Sequence, residues 1–355
     1  MRRILVTGGA GFIGSNLVRM LLSARDDVEV VNLDLLTYAG NLANLGDIEQ
    51  DPRYTFIKGD VSDPDTVRGA LEGVAAVMHL AAETHVDRSI QGGASFVRTN
   101  VLGTHTLLEV ALEAGVERFL HCSTDEVYGE LPWHDPEAPG DRERFTEDLP
   151  LEPRSPYSAS KAGSDHLALA FHRTFGLDVV VTRCSNNYGP YQFPEKLIPL
   201  CVTNALEDRT VPVYGDGLNV RDWIHVDDHC RGMRAALEGG RAGRVYNFGG
   251  DAERTNLQVV RRILAALGKG EEAIEFVRDR PGHDRRYAVD SSRARAELGW
   301  SPRVSLEQGL DATVAWYRSR TEWWRSIKAG EYRRYYDQQY GGSGAVAPRG
   351  SRSLS

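Results

Sequence analysis

A glycine-rich turn set between a short apolar run and an amphipathic one constrains this chain more than any other feature. Arg3-Ile4-Leu5-Val6-Thr7 is apolar and β-branched, Gly8-Gly9-Ala10-Gly11-Phe12-Ile13-Gly14 follows, and helical periodicity runs from Asn16 to Leu22. This is strand, tight turn, helix. The turn needs glycine for positive φ, for close approach of backbone to a pyrophosphate and for strand–helix packing, while the helix N-terminus offers free N–H groups to phosphates. Gly8, Gly11 and Gly14 form a spacing variant of the dinucleotide-binding fingerprint. A second strand, 28–33, ends in Asp34, roughly 20 residues past the loop, where a carboxylate accepts from an adenosine ribose and repels a 2′-phosphate. NAD is therefore favoured over NADP.

Strand-like and helical runs then alternate. Further strands are expected at 54–60, 76–82, 118–123 and 177–183, with helices at 64–71, 95–113 and 158–175. That order specifies an α/β, Rossmann-type, doubly wound and mostly parallel sheet. Ligands in such sheets sit beyond the carboxyl ends of the strands, so Asp60-Val61, Ala81-Ala82 with Thr84, Ser123 to Glu126 and Cys184 to Asn187 should converge on one crevice. After Arg183 the texture becomes loop-rich and irregular, as in a smaller mixed α/β lobe that binds substrate. The expected division is 1–183 plus 222–252 for the NAD-binding domain and 184–221 plus 253–330 for the second lobe. The stretch 341–355, rich in Gly, Ser, Ala and Arg, has no packing period and is expected to be disordered.

At 355 residues and 41% hydrophobic, the chain can bury a large core. Its net charge of −8, without a basic cluster, argues against a nucleic-acid partner. Cys122, Cys184, Cys201 and Cys230 lack CxxC spacing and are expected as reduced, packed thiols. The first strand starts at the third residue, leaving no room for a signal peptide, and no apolar run approaches membrane-spanning length, so the expected location is cytoplasmic.

Two segments carry chemistry. Ser123-Thr124-Asp125-Glu126-Val127-Tyr128-Gly129 follows a buried strand, and Tyr157-Ser158-Ala159-Ser160-Lys161 opens a helix. A Tyr with a Lys four residues on shares its helix face, where the ammonium can lower the phenol pKa and make it a usable base. The adjacent Asp125-Glu126 pair adds a second acid and a second base, which simple alcohol oxidation does not need. Two adjacent carboxyls in a desolvated pocket push their pKa values apart, as an elimination beside a carbonyl requires. Sequence does not say which of the two is raised.

Other features take plainer readings. His225 and His229, four apart, lack a third ligand at recognisable spacing, so no metal is expected, and Asp227 or Asp228 is expected to cap the helix. Trp316, Trp323 and Trp324 read as packing, and Arg261-Arg262 as a solvated helix face.

From Met1 to about Trp324 the chain resembles the extended short-chain dehydrogenases that act on sugar nucleotides, and closely the dTDP-glucose 4,6-dehydratases. The resemblance rests on the glycine loop, Tyr38-Ala39-Gly40-Asn41-Leu42, His85-Val86-Asp87-Arg88-Ser89-Ile90, the Thr-Asp-Glu triplet and Tyr157/Lys161. It also rests on the run from Asn186 to Pro199 and on Asp279-Arg280-Pro281-Gly282-His283-Asp284. Thr84 stands where a serine is common in the family, and a hydroxyl is kept.

The resemblance implies that Tyr157 takes the sugar 4-OH proton as NAD takes hydride from C4, with Lys161 on the nicotinamide ribose and Thr124 holding the 4-oxygen. It implies that Glu126 removes the C5 proton, that Asp125 protonates the departing 6-hydroxyl, and that the hydride returns to C6. Implied cofactor contacts are Gly8, Gly11, Phe12, Ile13, Gly14, Asp34, Leu35, Thr37, Asp60, Val61, Leu80, Ala81, Ala82, Thr99, Tyr157, Lys161 and Asn187. For dTDP-glucose they are Thr84, Thr124, Asn186, Glu195, Lys196, Leu197, Pro212, Tyr214, Arg221, Asn256, Arg280 and His283. A 4-epimerase would share Tyr157, Lys161 and Thr124 but has no need of Asp125-Glu126. A non-catalytic NAD-sensing protein would be expected to lose the Tyr/Lys pair. The base, whether thymine, uracil or guanine, stays open on residue chemistry alone, and the resemblance favours thymine. A homodimer is expected through helices 96–112 and 157–175, whose Val101, Leu107, Leu108, Ala168, Leu169 and Phe171 exceed one buried face.

Overall fold

Apolar, β-branched segments alternating with amphipathic ones give parallel strands with helices on both faces, because each strand then loses water from both sides. The computed structural model describes residues 2–138, 142–280 and 282–329. Its strands, in chain order, are β1 (Arg2–Thr7), β2 (Val28–Asp34), β3 (Tyr54–Lys58), β4 (Ala76–His79), β5 (Arg118–Thr124), β6 (Val179–Cys184), β7 (Asn186–Tyr188), β8 (Val211–Tyr214), β9 (Val220–His225), β10 (Val245–Phe248), β11 (Glu253–Thr255) and β12 (Ile274–Val277). Seven form one sheet in the order β10-β6-β5-β4-β1-β2-β3, every neighbouring pair parallel. The chain winds outward in opposite directions from β1 and β4. The crevice opens where those two strands end, at the switch point that parallel sheets use for ligands.

One face of the sheet packs on helices Phe12–Ala24 and Val226–Gly239, through Leu17, Val18, Met233 and Phe248. Helices Thr104–Glu113 and Pro156–Phe175 cover the other through Leu107, Leu108, Ala168 and Phe171. Four of the six residues that suggested a second apolar face are thus core of the single chain. The exposed apolar side chains of this region are instead Ile90, Val97, Leu102 and Phe175.

Expected and observed elements differ in instructive places. β3 stops at Lys58 and β4 at His79, short of Asp60 and Ala82, so those residues belong to the loops over the crevice. The helix expected over 95–113 contains a π-helical segment, Val97–Gly103. There the buried Asn100 side chain reaches out of the helix to Ser160 Oγ (2.8 Å), the Glu83 carbonyl (3.0 Å) and the Glu83 N–H (2.8 Å). Bulges of this type concentrate at functional sites.

The remaining strands form a three-stranded sheet, β11-β9-β7, and a pair, β12-β8. With helices Leu197–Leu206, Asn256–Ala266 and Leu306–Ser319 they enclose their own core around Tyr188, Val202, Ile263 and Trp324. Trp323 Nε1 donates to Asn44 Oδ1 (2.9 Å), fastening this part to the loop after β2. Arg261 and Arg262 pair with Glu271 and Asp311 on the surface. Helix Val226–Gly239 is capped by His225, whose Nδ1 accepts from Asp227 N, and not by Asp227 or Asp228. Asp228 turns the other way and accepts from the Arg303 and Val304 N–H groups. All four cysteines are free and buried, and no helix among the described residues is long and apolar enough to cross a membrane. The 341–355 tail lies outside the described residues.

Candidate active site

The glycine loop forms the first wall of the crevice. Gly8 has φ +72°, the left-handed region, and a Cβ there would lie 2.8 Å from Ala81 N. A Cβ on Gly14 would run into the Gly8 carbonyl oxygen. Gly11 begins helix Phe12–Ala24 without a side-chain cap, and Gly11 to Gly14, the start of that helix, line the crevice, where helix N–H groups suit an anion. At the end of β2, Asp34 accepts from Ala10 N (2.9 Å) and Leu36 N (2.8 Å), which fixes the carboxylate beside the loop. Thr7 Oγ1 accepts from the Leu80 and Ala81 N–H groups and pins the next strand end. These cradle positions fit a dinucleotide, and all seventeen residues expected to touch it line one crevice.

The chemical end lies past β5. Thr124 closes that strand, and its Oγ1 accepts from Glu126 N (3.3 Å), starting a single 3-10 turn, Asp125–Tyr128. The turn ends at Gly129, φ +93°, where a Cβ would meet the Glu152 carbonyl at 2.7 Å. Opposite it, Ser155 and Ser158 cap each other's backbone at the start of helix Pro156–Phe175, placing Tyr157 in its first turn and Lys161 one turn on. Lys161 Nζ donates to the Cys122 carbonyl oxygen at 2.7 Å. Thr124, Asp125, Glu126, Tyr157 and Lys161 all line the crevice.

Electrostatics separate the two carboxyls. Burial, then Glu126 and Asp222, hold Asp125 well above the usual carboxylate range. Burial also raises Glu126, but the cations Arg280, Lys196 and Arg221 oppose it. Asp125 is the better proton holder, Glu126 the better base. The tyrosine departs from expectation: burial, followed by the charge of Glu126, pushes the Tyr157 phenol up, and its bond with Thr124 only partly offsets this. Lys161 is not among the leading influences on the phenol, and its ammonium bonds the Cys122 carbonyl. Burial lowers Lys161 itself, and Asp165 is the largest influence opposing that.

Of the substrate residues, Thr84, Asn186 and Lys196 line the same crevice, and Arg221 and Arg280 lie close enough for their charges to act on Glu126. Tyr214 and Arg280 converge on Asp87, at 3.4 Å and 3.5 Å, with the His283 ring beside Tyr214. Arg221, 4% exposed, donates to the Asp284 carbonyl (2.8 Å). Glu195 is buried and pairs with Arg88 (3.2 Å), whose guanidinium lies over the Tyr38 ring. Leu197 starts helix Leu197–Leu206, Pro212 sits on β8 and Asn256 starts helix Asn256–Ala266. Sequence reasoning missed Asp87, and it missed His229, whose Nδ1 lies 3.0 Å from Asn187 Oδ1 and orients that amide. Among the described residues no cluster of three or more His, Cys, Asp or Glu side chains is placed to hold a metal.

A doubly wound sheet with a glycine cradle and a Tyr/Lys pair facing a strand-end hydroxyl defines a dinucleotide-binding protein of the short-chain dehydrogenase/reductase type. The family model for GDP-mannose 4,6 dehydratase matches residues 5–313. A dTDP-glucose 4,6-dehydratase of Streptomyces niveus is 53% identical over 331 residues, covering 92% of this chain and 96% of that protein. The crystal structure of the dTDP-glucose 4,6-dehydratase DesIV of Streptomyces venezuelae, with NAD and dTDP bound, is 55% identical, covers 92% of this chain and all of that one, and superposes with a TM-score of 0.88. A UDP-glucuronic acid 4-epimerase of Bacillus cereus is more distant, at 32% identity, 89% of this chain, 99% of that one and a TM-score of 0.82. The chain belongs to the dTDP-glucose 4,6-dehydratase family.

Proposed function

We propose that this protein dehydrates dTDP-glucose to dTDP-4-keto-6-deoxyglucose, as an NAD-dependent hydro-lyase. One observation carries the reading beyond the fold: the Asp125–Glu126 pair, Asp125 buried and Glu126 half-buried, shares the crevice with Thr124, Tyr157 and Lys161. A 4-epimerase has no use for that pair.

When bound, NAD supplies a reversible two-electron acceptor for the C4 hydrogen, which it gives back at C6. Tyr157 accepts the 4-hydroxyl proton, and Thr124 holds the 4-oxygen. Lys161 binds the nicotinamide ribose and biases the phenol. The 4-ketone acidifies C5, Glu126 removes that proton, and Asp125, kept neutral by burial, protonates the 6-hydroxyl as it leaves as water. Asn186, Lys196, Tyr214, Arg221, Arg280 and His283 serve the nucleotide end, with an arginine clamp on the diphosphate. Glu195, Leu197, Pro212 and Asn256 complete that end. We divide the chain as 1–183 plus 222–252 for the cofactor and 184–221 plus 253–330 for the nucleotide sugar, with β9 running across the boundary from one part into the other. A cytoplasmic homodimer completes the reading, supported by the four free thiols and by the exposed Val97, Leu102 and Phe175.

The test is incubation with dTDP-glucose and, separately, UDP-glucose. A 4-keto-6-deoxy sugar chromophore in alkali should form from dTDP-glucose without accumulation of free NADH. NADH rising in step with product, or an epimer without loss of water, would remove the reading.

A further inference from the structure

Between the carboxyl turn and the tyrosine–lysine helix lies a buried polar chain that the reaction as described leaves unused. Tyr157, Lys161 and Asp165 are spaced i, i+4, i+8 and share one face of helix Pro156–Phe175. Asp165, fully buried, accepts from Arg183 Nε at 2.8 Å, and its other oxygen lies 3.3 Å from His121 Nε2. Arg183, on β6 and 3% exposed, also donates from Nη1 to the Tyr128 hydroxyl at 2.8 Å. That hydroxyl donates in turn to Asn247 Oδ1 at 2.9 Å. Tyr128 is the last residue of the turn whose first two are Asp125 and Glu126.

We propose that Tyr128, Arg183 and Asp165 are positioning residues that fasten the acid–base turn to the Tyr157/Lys161 helix, so that oxidation at C4 and elimination across C5 and C6 share one fixed geometry. The turn is short: a four-residue 3-10 helix whose carboxyls line the crevice, with Val127 and Tyr128 in a core cluster and a backbone bond from Glu152 N to the Val127 carbonyl (3.0 Å). Arg183 suits the task because a planar guanidinium can bond two partners in fixed directions, which an ammonium cannot. Asp165 neutralises the buried cation and also acts on Lys161, so the chain ends on the pair that handles the 4-hydroxyl. The Tyr128 hydroxyl bonds Arg183 and Asn247 and none of the reacting side chains. Its loss should loosen the carboxyls and spare the oxidation.

This inference rests on the dehydratase reading, and the experiment separates the two. Single turnovers of the holoenzyme with dTDP-glucose in deuterated water read C4 oxidation as transient NADH absorbance and proton removal as deuterium entry at C5. Tyr128→Phe, which keeps the ring and leaves no unpaired charge, should change NADH appearance by less than about twofold and slow C5 exchange on the order of 10- to 100-fold, the cost of a misplaced catalytic group. Arg183→Lys keeps the charge and loses the bridge, and should show the same split if Tyr128→Phe fails to fold. Asp165→Asn should slow both steps. A wild type that leaves dTDP-glucose untouched strikes the dehydratase reading. An active wild type in which both Tyr128→Phe and Arg183→Lys slow the two steps equally, or neither, overturns this inference alone.

Discussion

Lys161 Nζ and the carbonyl oxygen of Cys122 are 2.7 Å apart, so the helix that carries the tyrosine is tied directly to the strand that delivers Thr124 two residues later. The bond joins a buried cation to a backbone acceptor at the crevice wall. Lys161→Met keeps most of the stem and removes both the donor and the charge. The expected result is a folded protein whose dehydration rate falls on the order of 10²–10⁴-fold, as for loss of an acid–base partner. Steady-state assays with dTDP-glucose, with circular dichroism as the folding control, check it. A rate within a few fold of wild type would mean that the phenol works without the ammonium.

The two carboxyls should fail differently. Glu126→Gln keeps the shape and removes the base, so C5 exchange with solvent should drop by roughly 10²–10⁴-fold. Asp125→Asn leaves the base in place but removes the proton donor, so exchange should persist while water loss falls. Equal, unimpaired exchange in both variants would contradict this division of labour.

Much of this site was legible in the sequence because the chemistry depends on local patterns. Gly8, Gly11 and Gly14, Asp34, Thr124 to Glu126 and Tyr157/Lys161 are each set by a turn, a strand end or a helical repeat, and the parallel sheet gathers strand ends by construction. What was illegible is long-range. Asp87 meets Arg280 across 193 positions, and His229 meets Asn187 across 42, so no spacing rule announces either. The raised tyrosine was missed for a different reason: periodicity placed Lys161 on its face correctly, but desolvation is a property of the packed site. Leu107, Leu108, Ala168 and Phe171 misled because a helix covering a sheet needs a broad apolar stripe before any second interface exists.

The pH profile of water loss from the 4-keto stage, the step that does not draw on the raised Tyr157 phenol, should be bell-shaped, with Glu126 controlling the acid side and Asp125 the alkaline side. Glu126 must be ionised, and burial raises it, so activity should fall as pH drops through a point above the ordinary glutamate value of about 4.3. Asp125 must be protonated and is raised further, so activity should fall again as pH rises through its shifted value. Because the two are adjacent, the limbs belong to the pair. An acid limb at or below the ordinary value in the rate of water loss against pH, followed in single turnovers, would contradict the burial argument.

The dimer surface can be tested at the side chains that the fold leaves outside. Val97 and Leu102 are 57% and 51% exposed on neighbouring turns beside the catalytic helix. Leu102→Glu should disturb no core contact and should place a charge in any apolar interface there. Light scattering should give twice the 39.3 kDa chain mass for wild type and a shift toward the single-chain mass for the variant. Wild type at 39.3 kDa at micromolar concentration would exclude the dimer.

The glycine loop makes the sharpest prediction, because two of its members differ in how much room they have. A Cβ on Gly11 would sit 3.3 Å from the Gly8 carbonyl, a contact that a small backbone shift can relieve, and its φ of −77° is open to any residue. A Cβ on Gly14 would drive into that same carbonyl and the Gly9 backbone, with no flexible side chain to give way. Gly14→Ala should therefore push the helix start away from the loop, cost about 1–3 kcal/mol of stability as overpacking does, and spoil the alignment of free N–H groups toward the pyrophosphate. Gly11→Ala should be milder on both counts. NAD released from each purified variant by denaturation, measured per chain, reports the cradle without reference to turnover. Wild type and Gly11→Ala should retain cofactor, and Gly14→Ala should lose most of it. Full retention by Gly14→Ala would mean that the first turn of the helix does not hold the dinucleotide and that the charge-free cradle lies elsewhere in the crevice.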